Sequence, residues 1–135
     1  MLKPLAPVLI LLAAPAVAQD DFVMYLDTPE ACAVTQDMDV EERPMAAMHD
    51  GGAMVLRAWG MDAIEYYCEF ETEIEFDFAE TSLQTRAGFC AEPGEYIYPQ
   101  VFVIGMSEGN PDLVHVWSSE NPSGEATIYT ACRQN

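Results

Sequence analysis

The sequence predicts a mainly β protein of the α+β class, with one short N-terminal helix and two disulfides. Apolar and polar residues alternate in several segments, as side chains on a strand do. These segments are short and are separated by turns rich in Gly, Pro and Asn, which favours an antiparallel meander over parallel β-α-β units. We expect about five to seven strands in a curved sheet or a small open barrel.

The first eighteen residues have the pattern of a cleaved signal peptide. Lys3 precedes an apolar run from Val8 to Ala14, and Ala16-Val17-Ala18 fits the small-x-small pattern of signal peptidase sites. The apolar run is too short to span a bilayer as a helix. We therefore expect residues 1–18 to be removed and residues 19–135 to form one exported domain. Its expected location is the periplasm or the medium, without membrane insertion.

The composition is strongly acidic. The chain has 23 Asp and Glu residues against 5 Lys and Arg residues, which gives a formal net charge of −18 at pH 7. Such a chain repels the phosphates of nucleic acids and anionic lipid surfaces, so we exclude nucleic acid as a partner. It attracts cations and basic proteins, although a high negative charge also serves solubility alone.

The four cysteines, an even number in an exported chain, indicate a disulfide framework. No C-x-x-C motif is present, so the sequence supports neither a thioredoxin-like redox pair nor a zinc ribbon. Sequence alone allows three pairings. We prefer the nested pairs Cys68–Cys90 and Cys32–Cys132, because the second would tie the two ends of the domain together.

The N-terminal part contains the one predicted helix. Thr28-Pro29-Glu30 combines a capping hydroxyl, a proline at the first helical position and an acid in the first turn, so a helix is expected from here to about Met38. The polar stretch from Asp37 to Pro44 has no sustained period and is expected to be a loop. Its acidic residues have a faint calcium-site pattern, but the glycine and distal glutamate of an EF-hand are missing.

The rest of the chain is predicted to be strands joined by turns. The segment from Tyr96 to Met106 is apolar at both odd and even positions, as in a strand covered on both faces, and Pro99 requires an edge position or a bulge there. The predicted strands are Ala53–Trp59, Ile64–Phe78, Leu83–Cys90, Tyr96–Met106, Leu113–Ser118 and Ala126–Cys132.

Residues 64–78, IEYYCEFETEIEFDF, show the most regular alternation in the chain. It predicts a strand with the even positions in the core, the odd positions in water and a bend near Glu71-Thr72. Successive acids on one face of a strand stand about 7 Å apart, too far for two of them to chelate one ion. A solvated face or a basic partner fits this row better. Its acidic residues are Glu65, Glu69, Glu71, Glu73, Glu75 and Asp77.

A second candidate site is a group of soft metal ligands. Thioether and imidazole groups together suit Cu(I), and the group consists of Met45, Met48, His49 and Met54. The alternative is that Asp50-Gly51-Gly52 forms a hairpin turn and that the methionines beside it fill the core.

The sequence carries no catalytic motif that we recognise. Neither Gly-x-Ser-x-Gly nor His-Glu-x-x-His occurs, and cysteines that are all paired leave no thiol nucleophile. We interpret His115, between two valines, as a structural residue. The sequence thus predicts a monomeric, non-catalytic binding or inhibitor module that contacts a basic protein through the acidic face and needs no cofactor. The alternative is a metal-binding protein of the cell envelope that holds copper or calcium.

Overall fold

The structure, a computed structural model, describes residues 23–78, 82–107, 109–121 and 123–133. The predicted signal peptide lies outside the described residues. Within them, eight strands form a closed antiparallel barrel in which each strand pairs with its neighbours in sequence and β1 pairs with β8. The strands are β1 (Met24–Leu26), β2 (Val55–Arg57), β3 (Gly60–Ala63), β4 (Tyr66–Phe70), β5 (Gln84–Glu92), β6 (Tyr96–Ser107), β7 (Asn110–Ser118) and β8 (Thr127–Cys132).

The predicted antiparallel class and both preferred disulfides are present in this fold. Cys68 and Cys90 are directly paired across β4 and β5, and Cys32 is bonded to Cys132 at the end of β8. The barrel is closed because the short strand β1 pairs with β2 on one side and with β8 on the other. The region from Ala53 to Trp59, predicted as one strand, holds only β2, and the chain turns after Arg57 into β3.

Two short helices pack outside the barrel. The first is a 3-10 helix, Pro29–Thr35, which begins where the sequence predicts but is shorter and more tightly wound than the expected helix. The second, α1 (Arg43–His49), was not predicted, and it begins within the stretch expected to be a loop. The buried side chain of Arg43 fixes this region by donating hydrogen bonds to the carbonyl oxygens of Met38 at 3.0 Å and Gln36 at 3.1 Å.

The strands next to the helices separate two apolar clusters. On β1, Tyr25 points into the barrel, whereas Met24 and Leu26 point outward to the helices. The outer cluster also contains Ala31, Ala47, Met48, Ala53, Val55 and Cys132. The barrel interior is filled by Tyr25, Leu56, Met61, Cys68, Phe70, Ile74, Cys90, Phe102, Ile104, Val114, Val116 and Tyr129.

The prediction of one long strand over residues 64–78 is wrong. The chain turns at Ile64-Glu65, β4 ends at Phe70, and residues 71–78 form neither strand nor helix. The alternation continues in part. Ile64, expected in the core, is instead 46% exposed. Ile74, however, is 3% exposed and belongs to the barrel core, and the ring of Phe76 stacks on Tyr25 with centroids 4.8 Å apart. The segment therefore covers one end of the barrel with its apolar side chains, without pairing as a strand.

Two glycines permit the close approach of the neighbouring strands to β4. A Cβ atom at Gly88 would overlap the carbonyl oxygen of Glu69, and one at Gly60 would overlap the carbonyl oxygen of Cys68. Both glycines pair with β4 residues, Gly88 with Phe70 and Gly60 with Glu69. Neither position can hold a side chain without movement of the main chain.

Candidate functional site

The structure gathers most of the predicted carboxylates at one end of the barrel. Glu69 is the outward-facing residue near the end of β4, and Glu71, Glu73, Glu75 and Asp77 follow it in the irregular chain. We call residues 69–77 the acidic segment. Glu65 lies apart, in the turn before β4, with a positive φ of 63°. All six side chains are exposed.

The acidic segment is held by side chains of β5. Gln84 forms two hydrogen bonds with the main chain of Glu75: its Oε1 accepts from the amide at 2.9 Å, and its Nε2 donates to the carbonyl oxygen at 2.6 Å. Arg86 donates to the carbonyl oxygens of Thr72 and Glu73. On the other side, the amide of Ile74 donates to the carbonyl oxygen of Ala58 at 2.7 Å. These bonds fix the main chain and leave the acidic side chains in solvent.

Arg86, which is hydrogen-bonded to the main chain of the acidic segment, forms no close ion pair with its carboxylates among the described residues. Arg86 donates its hydrogen bonds to main-chain carbonyl oxygens and to the amide oxygen of Gln84. The close ion pairs found between described residues, Arg57–Asp62 at 2.8 Å and Arg133–Asp112 at 2.7 Å, lie elsewhere. The acidic segment is therefore an ordered row of exposed charges open to solvent or to a partner.

The structure does not gather the four soft metal ligands. Met48 packs in the outer cluster, whereas Met54 packs against the barrel core and its Sδ lies 3.0 Å from the hydroxyl of Tyr129. Met45 and His49 are exposed, one turn apart on α1. The expected hairpin at Asp50-Gly51-Gly52 is wrong, because this stretch ends α1. The part of the chain that the structure describes contains no group of three His, Cys, Asp or Glu residues placed to hold a metal ion, the polar stretch from Asp37 included.

Tyrosines and acids surround a shallow pocket of about 280 Å³ beside the turns β3–β4 and β5–β6. Tyr66, Tyr67, Glu65 and Glu92 are among its lining residues. Burial and then the negative charge of Glu120 raise the pKa of Tyr66 above its usual value of about 10. The hydroxyl of Tyr98, which does not line the pocket, donates a hydrogen bond to the carboxylate of the lining residue Glu92 at 3.2 Å.

A surface that the sequence did not reveal covers the outside of β5, β6 and β7. The prediction that both faces of β6 are covered is wrong: Gln100, Phe102 and Ile104 are buried, but Ile97 is 66% exposed and Val101 is 49% exposed. Apolar side chains on the neighbouring strands continue this surface, which we call the outer apolar face. It consists of Leu83, Ala87, Phe89, Ile97, Pro99, Val101, Val103 and Trp117.

His115 lies at the end of the outer apolar face. Its ring stacks on Trp117 with centroids 5.7 Å apart, and its Nε2 is buried without a hydrogen-bond partner among the described residues. His49 lies on α1, on a different part of the surface. The sequence did contain a signal of the outer apolar face, because β6 is apolar at both odd and even positions. When no helix packs against such a strand, one of its two apolar sides must be exposed.

Comparisons with known proteins identify no relative. The chain matches no protein-family model, no curated protein and no solved structure at a significant level. Among the described residues, no helix has both the length and the apolar character needed to cross a membrane. The acidic segment and the outer apolar face are therefore the two features from which a function can be argued.

Proposed function

We propose that this protein is an exported, non-catalytic binding module that holds a basic protein through the acidic segment. The observation that carries the proposal is the fixed main chain of residues 71–75, whose carboxylates are exposed while Arg86 is engaged by carbonyl oxygens. Two disulfides support export, because such bonds form in oxidising compartments such as the periplasm or outside the cell.

The physical basis is electrostatic attraction by a preorganised row of charges. Long Lys and Arg side chains can reach exposed carboxylates, which are not grouped to hold a metal ion among the described residues. Each exposed ion pair contributes about 1 kcal/mol or less, so several pairs must act together to give stable binding. A segment that is already ordered avoids part of the entropy cost of binding. Salt screens such pairs, with a Debye length of about 8 Å at physiological ionic strength.

The test compares two variants that lose the same charge at different places. Immobilised protein of residues 19–135 is incubated with an envelope extract at low and at high salt, and any basic protein that is retained is purified and titrated against both variants. The first variant carries Glu71→Gln, Glu73→Gln, Glu75→Gln and Asp77→Asn. The control carries Asp37→Asn, Asp39→Asn, Glu41→Gln and Glu42→Gln, all at exposed positions outside the acidic segment.

We expect a basic protein that binds at low salt and is released at high salt. Binding should be lost in the acidic-segment variant and kept in the control variant. Equal losses of binding in both variants would show that binding depends on net charge alone. An extract without a salt-sensitive partner would rule out the proposal.

A further inference from the structure

We propose that the outer apolar face is a docking surface for the apolar side of the same partner, which therefore binds as a cationic amphipathic segment. This inference rests on the proposed function and adds the chemistry of the partner: apolar side chains on one side and Lys or Arg beside them.

The outer apolar face is continuous across three strands. Phe89 of β5 is paired with Pro99 of β6, and Val103 of β6 is paired with Trp117 of β7. Directly paired residues have Cβ atoms about 5 Å apart, so these side chains are in contact range. Leu83, 64% exposed, lies over Gly105 next to Trp117. Contiguous exposed apolar surface of this kind is uncommon on a soluble protein and marks interaction sites.

The acidic segment borders this face along β5. Glu69 is paired with Phe89, and the amide of Glu71 donates to the carbonyl oxygen of Ala87 at 2.9 Å. Further along, Glu75 and Glu73 are bonded to the side chains of Gln84 and Arg86, which lie on the inner face of β5 because they pair with core residues of β6. The acidic segment therefore borders the outer apolar face at Glu69 and Glu71, beside Phe89 and Ala87.

Charge decides which occupant fits the outer apolar face. A second copy of this chain, with net charge −18, would bring two acidic segments together, and an anionic lipid surface would be repelled in the same way. A cationic polypeptide is attracted. Because the barrel is closed, the partner contacts side chains on the face of the sheet, as an amphipathic helix does in a groove, and does not extend the sheet.

The experiment uses a synthetic Leu/Lys peptide of about 15 residues that segregates Leu and Lys on opposite sides of a helix. The control peptide has the same composition with Leu and Lys intermixed. The chain has two tryptophans, so a Trp59→Phe background leaves Trp117, on the outer apolar face, as the fluorescent reporter of binding.

Two identical substitutions test the surface. Val101→Ser changes the middle of the outer apolar face, and Val40→Ser changes a valine of similar exposure, 40% against 49%, in the connection before α1. We expect binding of the amphipathic peptide to be about tenfold weaker in the Val101→Ser protein, because the apolar contact is lost, and unchanged in the Val40→Ser protein. The intermixed peptide should bind weakly to all proteins.

Equal affinities of the two serine variants would overturn the inference, as would equal affinities of the two peptides. A concentration-dependent dimer that Val101→Ser dissociates would also overturn it, because a second copy would then cover the face. If the acidic-segment variant loses binding but Val101→Ser does not, the proposed function stands and this inference fails. If Val101→Ser weakens binding but the acidic-segment variant does not, the carboxylates take no part in binding, and both the proposed function and this inference fail.

Discussion

The guanidinium of Arg86 donates two hydrogen bonds to the main-chain carbonyl oxygen of Glu73, from Nε at 3.1 Å and from Nη2 at 2.9 Å. Nε also lies 3.1 Å from the carbonyl oxygen of Thr72. A charged side chain of β5 thus binds the main chain of the acidic segment, and no ion pair to its carboxylates is found within the described part of the chain. The flat guanidinium suits this role, since it presents several donors in one plane.

Replacement of Arg86 should loosen the acidic segment. We expect Arg86→Gln to lower the free energy of unfolding by about 1–2 kcal/mol, because hydrogen bonds from a charged but partly exposed donor are lost. Amide hydrogen exchange at Ile74 and Glu75 should become faster than elsewhere in the barrel. Arg133→Gln, at an exposed ion pair with Asp112, is the control and should leave that exchange unchanged. Unchanged exchange in both variants would contradict this role of Arg86.

The two disulfides should differ in their reduction under native conditions. Cys68 and Cys90 are buried in the barrel core, whereas Cys32 is partly exposed on the 3-10 helix. A thiolate must reach a sulfur atom to reduce it, so Cys32–Cys132 should be reduced first. Limited reduction followed by alkylation and mass spectrometry measures the order. The same treatment in denaturant is the control and should remove the difference; early labelling of Cys68 would contradict the buried position.

The alternation of residue types was a better predictor of side-chain burial than of main-chain pairing. Cys68 and Phe70 in β4, and Ile74 beyond it, all enter the core as their even positions indicate. The main chain of Glu73 and Glu75, however, bonds to side chains of β5 instead of joining a strand ladder. A period of two reports burial, and burial can continue after pairing has ended.

The features that the sequence did not predict depend on tertiary contacts. Helix α1 follows a polar stretch, and it is fixed by the buried Arg43, which donates hydrogen bonds to the carbonyl oxygens of Gln36 and Met38. The split of Met48 and Met54 between two apolar clusters depends on barrel closure through β1. The outer apolar face escaped prediction because an apolar pattern on both sides of β6 is typical of a strand that is covered on both faces.

A side chain at Gly88 should damage the barrel where β4 ends. We expect Gly88→Ala to cost at least about 2 kcal/mol, because the new Cβ would overlap the main chain of Glu69 and force the strands apart. Gly52→Ala is the control: no atom lies near its Cβ, but its φ is +62°, so strain alone should cost about 1 kcal/mol. Denaturant unfolding of both variants measures the difference, and an equal cost would contradict the steric explanation.

The hydroxyl of Tyr129 is buried at the centre of the barrel, 3.0 Å from Sδ of Met54 and 3.0 Å from Sδ of Met61. Burial raises the pKa of this hydroxyl far above its usual value of about 10, and the negative charge of Asp27 adds to the shift. Below pH 10 the folded and unfolded states both hold the proton. Above it, the unfolded state loses the proton and the folded state keeps it.

Stability should therefore be independent of Tyr129 ionisation below pH 10 and should fall above it, by about 1.4 kcal/mol per pH unit for this one group. Tyr129→Phe should be slightly less stable than the parent at neutral pH, since the hydroxyl contacts are lost, and should lose less stability as the pH rises. Denaturant unfolding between about pH 9 and 11.5 measures how the stability of each protein depends on pH. Above pH 10 the two slopes should differ by about 1.4 kcal/mol per pH unit, which corresponds to one proton. Tyr96→Phe, at an exposed tyrosine, is the matched control and should follow the parent. Parallel slopes for the parent and Tyr129→Phe would mean that the folded barrel admits the ionised hydroxyl.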